Sequence, residues 1–121
     1  MATPVSYQLL IDLPRRLRVE VGRLGVVELP AGRYVYTGSA RRGLAARIAR
    51  HLRADKPLRW HIDWLTTAAG VTVRERLRSA RSECALNQAT PGTIVVAGFG
   101  ASDCRAGCGA HLKRLPDPIG T

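Results

Sequence analysis

The sequence predicts a small α/β protein of the α+β type, an antiparallel sheet flanked by helices. Three observations carry that prediction. Short β-rich runs separated by tight turns fill the chain from Val5 to Thr37. The apolar pattern changes to helical spacing between Leu44 and Leu52. The 121 residues are enough for one modest core and too few for two, so a single domain over 1–121 is expected.

Val5 to Leu13 is an apolar run closed by Pro14, which reads as a buried strand. Leu17, Val19 and Val21 then alternate with Arg16, Arg18 and Glu20, the period of a half-buried strand. Gly22-Arg23 is a tight turn, Leu24 to Leu29 a further strand, and Arg33 to Thr37 the next. Strands so closely spaced predict an antiparallel meander. In the helix that follows, Leu44, Ala45, Ile48 and Leu52 fall on one face. Arg47 and His51, one turn apart, lie on its flank, facing the seam between helix and sheet. Trp60 to Leu65 reads as a short helix. Val71, Val73 and Leu77 mark a strand with a basic outer face. Ser82 caps a helix that begins at Glu83 and is broken by Pro91-Gly92. Thr93 to Ala97 is β-rich, residues 98–109 form a loop, and Ala110 to Leu115 reads as a last short strand.

A net charge of +10 and a pI near 11.0 point to a polyanionic partner, nucleic acid before an acidic membrane surface. No apolar run approaches the ~18 residues that span a bilayer. The first residues have no basic n-region and carry Asp12 early, so no signal peptide is expected. Three cysteines, an odd count, argue against a secreted disulfide framework. A cytoplasmic protein is the simplest expectation.

The stretch from Arg33 to His51, RYVYTGSARRGLAARIARH, places two strand tyrosines, a glycine turn, an arginine and a histidine within reach of one site. Cleaving a phosphodiester needs a deprotonated water, positive charge on the phosphoryl oxygens and help for the leaving oxygen. Arg47 offers a planar fork of donors to phosphate. A carboxylate can hold one Mg²⁺, which supplies Lewis acidity. Tyrosine beside a metal and a cation can have its phenol pKa lowered enough to act as a base. Arg41, Arg42, Arg50, Arg53 and Lys56 would track a nucleic-acid backbone without reading sequence. Plainer readings stay open. The arginines can be a solvated face, and Glu83 suits the first turn of a helix on dipole grounds alone.

Ser6-Tyr7-Gln8, then Tyr36-Thr37-Gly38, then Arg47 and His51 on a helix, resemble the GIY-YIG nuclease motif. The blocks VGRLG, LPAGRYVYTGSA, RWHIDWL, ECALNQ, GFGASDC and CGAHL are similar to one subfamily in particular. That subfamily is the domain of unknown function DUF123, grouped with Uri-type GIY-YIG endonucleases. The resemblance covers essentially the whole chain. It implies a GIY-YIG-like fold and metal-dependent cleavage of DNA with one divalent ion, Mg²⁺ or Mn²⁺. Carried over position by position, it assigns Tyr7 and Tyr36 as the motif tyrosines, Arg47 and His51 as the helix pair, and Glu83 as the metal ligand. Tyr7 is then the general base, Tyr36 positions water or substrate, and His51 takes or relays the proton. Tyr34 is left to packing. The spacing between Tyr7 and Tyr36 is long for the motif because the strands from Leu17 to Leu29 are inserted. The asparagine that typical members carry well after the glutamate has no clear match, since Asn87 is only four residues on.

Two readings compete with an endonuclease. One is a non-catalytic, basic nucleic-acid-binding module that keeps the fold. The other is a zinc-binding interaction module built on Cys104, Cys108 and His111, with Cys84 as a fourth ligand, although C-x3-C-x2-H is not a standard finger spacing. A Cys104–Cys108 disulfide and loop-packing thiols are further options for the same residues. His61 and Asp63 can contact the site or form structural hydrogen bonds. Ser102 and Asp103 can approach the nucleic acid or the metal.

Overall fold

The computed structural model describes residues 3–40, 42–53, 55–100 and 107–116. Six strands and three helices follow one another in these residues: β1 (Ser6–Leu13), β2 (Leu17–Val21), β3 (Gly25–Leu29), β4 (Gly32–Ser39), α1 (Leu44–Leu52), α2 (His61–Thr66), β5 (Thr72–Ser79), α3 (Glu83–Ala89) and β6 (Leu112–Arg114). The main sheet has four strands in the order β5-β1-β4-β6, and all its pairings are antiparallel. The expected mixed α/β fold with an antiparallel sheet is therefore present. No helix among the described residues is long and apolar enough to cross a membrane.

The meander is not. β2 and β3 pair with each other as a separate two-stranded ribbon, joined by a 3₁₀ turn at Gly22–Leu24, and β1 pairs with β4 across them. The reason lies in β1. Its apolar run is buried on both faces, so it takes the centre of the sheet, and β4 and β5 occupy both of its ladders. The ribbon instead lays Val21, Val27 and Leu29 against the core, with Leu17 and Val19 packed beside them, so the alternation predicted for Leu17, Val19 and Val21 faces inward.

One sheet face carries Tyr7, Leu9, Ile11 and Leu13 from β1 and Tyr34 and Tyr36 from β4, and it packs on Ile48 of α1 and on Ile62 and Leu65 of α2. Tyr34 is fully buried and donates its hydroxyl to Pro30 O at 2.7 Å, the packing role expected of it. The opposite face carries Gln8 and Thr37. The Gln8 amide donates to Thr37 Oγ1 (3.1 Å) and to Thr90 Oγ1 (2.7 Å), and so meets the end of α3. Burying so polar a patch is tolerable because its groups are hydrogen-bonded.

Two further expectations change. α1 is rotated from its predicted stripe: Ile48 and His51 are buried, while Ala45 and Leu52 are exposed. Residues 93–97 do not form a strand. Thr93 makes a single bridge to Arg114, and Val95 and Val96 pack on the core from turns that end in the positive-φ Gly98 and Gly100. Ser82 caps α3 as predicted, accepting from Ala85 N at 3.2 Å. Both α1 and α3 end on a lysine. Lys56 Nζ donates to Arg50 O and His51 O (3.2 and 2.8 Å), and Lys113 Nζ donates to Asn87 O and Thr90 O (2.7 and 2.9 Å). A cation at these carbonyls satisfies the acceptors a helix leaves over at its C-terminus.

Candidate active site

The register of β1 and β4 builds the site. Tyr7 pairs with Gly38 and Leu9 with Tyr36, so the two tyrosines are diagonal neighbours on one sheet face. Gly38 makes room for the first of them: a Cβ there would stand 2.4 Å from Tyr7 Oη. Gly100 does the same for the second, since a Cβ would stand 2.9 Å from the Tyr36 ring. Each ring lies where any larger residue would collide with it.

α1 brings the next two residues. His51 is buried, and its Nε2 is 2.6 Å from Tyr7 Oη. Burial, reinforced by the neighbouring Lys56 cation, lowers the His51 pKa to about 4, so the imidazole is neutral at pH 7. Burial also raises the Tyr7 phenol pKa, against the pull of Arg47, and raises that of Tyr36. The expected lowering of the Tyr7 pKa is therefore reversed in the protein by itself, because desolvation, helped by the Glu83 and Asp63 carboxylates, outweighs the Arg47 and Arg50 cations. Arg47 Nη1 donates to Ser39 O at 2.6 Å. Its guanidinium carbon stands 5.0 Å from the Trp60 ring centroid.

Tyr7, Tyr36, Ser39, Arg47 and Glu83 line one cavity of about 270 Å³, with Arg59, Trp60, His61, Gly100 and His111 completing its wall. Glu83, in the first turn of α3, is the one acidic side chain among these described lining residues. The residues singled out for chemistry in the sequence thus come together from β1, β4, α1 and α3, with His51 behind Tyr7 rather than on the cavity surface.

Sequence reasoning missed Trp60. Its ring is the platform for three guanidinium groups, those of Arg47, Arg50 and Arg59, at 5.0, 4.5 and 5.0 Å from the centroid. The RWHIDWL block carried that signal only as a helix with apolar tryptophans. Arg59 and His111, also on the cavity wall, were not singled out for phosphate handling.

The basic cluster divides. Arg42 and Arg53 are exposed, and Arg41 lies outside the described residues. Arg50 is drawn inward, its guanidinium donating to both carboxylate oxygens of fully buried Asp63 at 3.1 Å each. Lys56 is buried on the end of α1. An ammonium committed to buried carbonyls is not available to track a backbone, which removes Lys56 from the expected set. Asp63 also accepts from the backbone of Arg59 and Trp60 (2.8 and 2.9 Å), capping α2. Burial alone would raise the Asp63 pKa, but the Arg50 hydrogen bond and these two N–H groups overcome it and hold the carboxyl below its ordinary range. His61 Nδ1 accepts from Gly100 N at 3.0 Å and ties α2 to the glycine that accommodates Tyr36. Asp63 takes the structural alternative, whereas His61 makes its structural hydrogen bond and also lines the cavity.

Cys84 Sγ, Cys108 Sγ and a His111 ring nitrogen lie within 4.8 Å of one another beside the cavity. Cys104, Ser102 and Asp103 lie outside the described residues.

The fold and cavity define a small α/β protein with two tyrosines, a buried histidine, an arginine and a glutamate gathered at one end of an antiparallel sheet. The model of the family described as domain of unknown function DUF123 matches residues 6–119, and the chain belongs to that family. Comparison with curated proteins and with solved structures gives no match.

Proposed function

We propose that the protein is a metal-dependent endonuclease that hydrolyses DNA phosphodiester bonds by GIY-YIG-type chemistry. The observation that carries this reading is the convergence of Tyr7, Tyr36, Arg47 and Glu83 on one cavity, with His51 hydrogen-bonded behind Tyr7. These residues come from four separate elements, and although the two tyrosines also pack in the core, packing gives no reason for Arg47 and Glu83 to face the same cavity.

A phosphodiester entering the cavity would meet Arg47 and Arg59, both on its wall. Arg47 is already oriented by the Ser39 carbonyl and the Trp60 face, so little side-chain entropy is lost on binding. When His51 carries its ring proton on Nδ1, Tyr7 Oη–H donates to Nε2. A lone pair of the same oxygen then remains to accept a proton from water. Tyr7 in this way passes a proton to His51 without itself becoming a stable phenolate. A bound phosphate adds negative charge nearby and makes the imidazolium easier to form. Tyr36, whose phenol stays protonated, donates to water or to a phosphoryl oxygen.

Glu83 would hold the divalent ion. A single carboxylate on a cavity with room for water fits Mg²⁺ or Mn²⁺, hard cations that keep several water ligands. When bound, the ion supplies Lewis acidity toward the phosphoryl group.

The test is a nicking assay with Mg²⁺ or Mn²⁺ on plasmid, linear duplex and single-stranded DNA. Cleavage by the intact protein that disappears in Glu83→Gln and falls in Tyr36→Phe supports the enzyme. Salt-sensitive binding without cleavage on any substrate leaves the non-catalytic binding module in its place.

A further inference from the structure

The phosphodiester chemistry leaves one cluster unused. Cys84 is in the first turn of α3, Cys108 in the segment leading toward β6, and His111 immediately before β6. Their ligand atoms all lie within 4.8 Å of one another. His111 is buried and the two cysteines are half-buried, so the cluster is screened without being sealed.

The spacing suits one ion. Metal–sulfur bonds of about 2.3 Å and metal–nitrogen bonds of about 2.0 Å at tetrahedral angles set neighbouring donors roughly 3.5–4 Å apart. Cys84 Sγ is 3.9 Å from His111 Nε2. With Nε2 turned to the sulfur, Nδ1 faces Glu83 Oε1 at 3.5 Å. A carboxylate behind the outer nitrogen is the usual setting of a metal-bound histidine, because it fixes the ring and raises its basicity. Thiol and imidazole donors select a soft or borderline ion over Mg²⁺.

We propose that Cys84, Cys108 and His111 are ligands of a single zinc ion. The ion bridges the start of α3 and the segment entering β6, which pairs with β4 beside Tyr36. It therefore fixes Cys84, and with it the adjacent Glu83, against the cavity wall. The site is separate in chemistry from the oxygen site at Glu83: one takes a soft ion, the other a hard one.

The test uses the full chain expressed with zinc and dialysed against millimolar Mg²⁺, with metal content measured by mass spectrometry. About one zinc per chain should survive. Replacement by Co²⁺ should give a thiolate-to-metal charge-transfer band that falls by about half in Cys84→Ser and in Cys108→Ser. Loss of the zinc to Mg²⁺, or the absence of any such band when Co²⁺ is added to the intact protein, overturns the proposal. Because both readouts use the unsubstituted chain, misfolding of a variant cannot rescue it. A band undiminished in both serine variants overturns it as well. None of these measurements depends on DNA cleavage, so a failed nicking assay leaves them standing.

Discussion

Tyr7 Oη and His51 Nε2 stand 2.6 Å apart, and both side chains are neutral at pH 7. A strand and a helix distant in sequence thus share one proton in a buried place. In Tyr7→Phe the ring still fills its space, but the proton path is cut. Single-turnover cleavage should fall by about 10²–10⁴-fold, the usual contribution of a positioned base. Substrate affinity, read separately by binding in Ca²⁺, should change little.

His51 makes stability depend on pH. The unfolded chain takes up this proton near 6.5, whereas the folded chain does so only near 4. Protons therefore favour the unfolded state in that interval. The contribution of neutral His51 is complete above about pH 6.5 and is lost as the pH falls toward 4. At about pH 4.5 the loss is on the order of 2–3 kcal/mol relative to neutral pH. Urea unfolding at the two pH values should show it, and the drop should shrink by most of that amount in His51→Gln. Asp63, held below its ordinary range, adds a separate loss at pH below about 3.8.

Asp63 and Glu83 should separate stability from activity. Asp63→Asn breaks a buried bidentate pair with Arg50 and weakens the cap of α2. The expected cost is about 3–5 kcal/mol. Glu83 is partly exposed, and Glu83→Gln should shift stability by no more than about 1 kcal/mol while abolishing cleavage. Chemical denaturation run beside the nicking assay distinguishes the two.

Gly38 is needed for space and not for backbone freedom, since its φ lies outside the left-handed region. Gly38→Ala drives a methyl into the Tyr7 hydroxyl and should cost about 1–3 kcal/mol. Cleavage should fall by more than that loss of folded protein would explain, because Tyr7 must move away from His51. Activity measured at a temperature where the variant is fully folded by circular dichroism is the deciding measurement.

Exposed and buried cations should act differently on DNA binding. Arg42→Gln and Arg53→Gln should each lower the slope of log K against log salt by up to about 1. Lys56→Met should leave that slope nearly unchanged and lower the melting temperature instead, since it strips the end of α1 of its cation.

The elements were largely legible because periodicity is local. The two periods of β2 and α1, the cap at Ser82 and the breaks at Pro14 and Pro91 can all be read within a few residues. The pairing of β1 with β4 was not, because it depends on which strand is most buried and on the ribbon leaving the sheet. The rotation of α1 had the same origin: the helix turns to place His51 under Tyr7, a contact that helical spacing does not contain. Among the site residues, those at motif positions are legible from the sequence. Trp60 is not, since three arginines meet its ring only after α1 and α2 have packed. Lys56 was misjudged because a lysine in a charged loop gives no local sign that it will cap a helix.

β5 sits at the outer edge of the main sheet, where a second chain could in principle add a strand. Arg74, Arg76 and Arg78 are all exposed on it, and although Arg78 pairs with Glu75 and Arg74 lies 4.0 Å from Asp12, the strand keeps an excess of positive charge. A second β5 approaching that ladder would bring its own arginines against these. Like-charge repulsion of this kind is a common means of discouraging edge-to-edge aggregation. The same three residues that would strengthen a positive field toward a polyanion thus also discourage pairing at this edge.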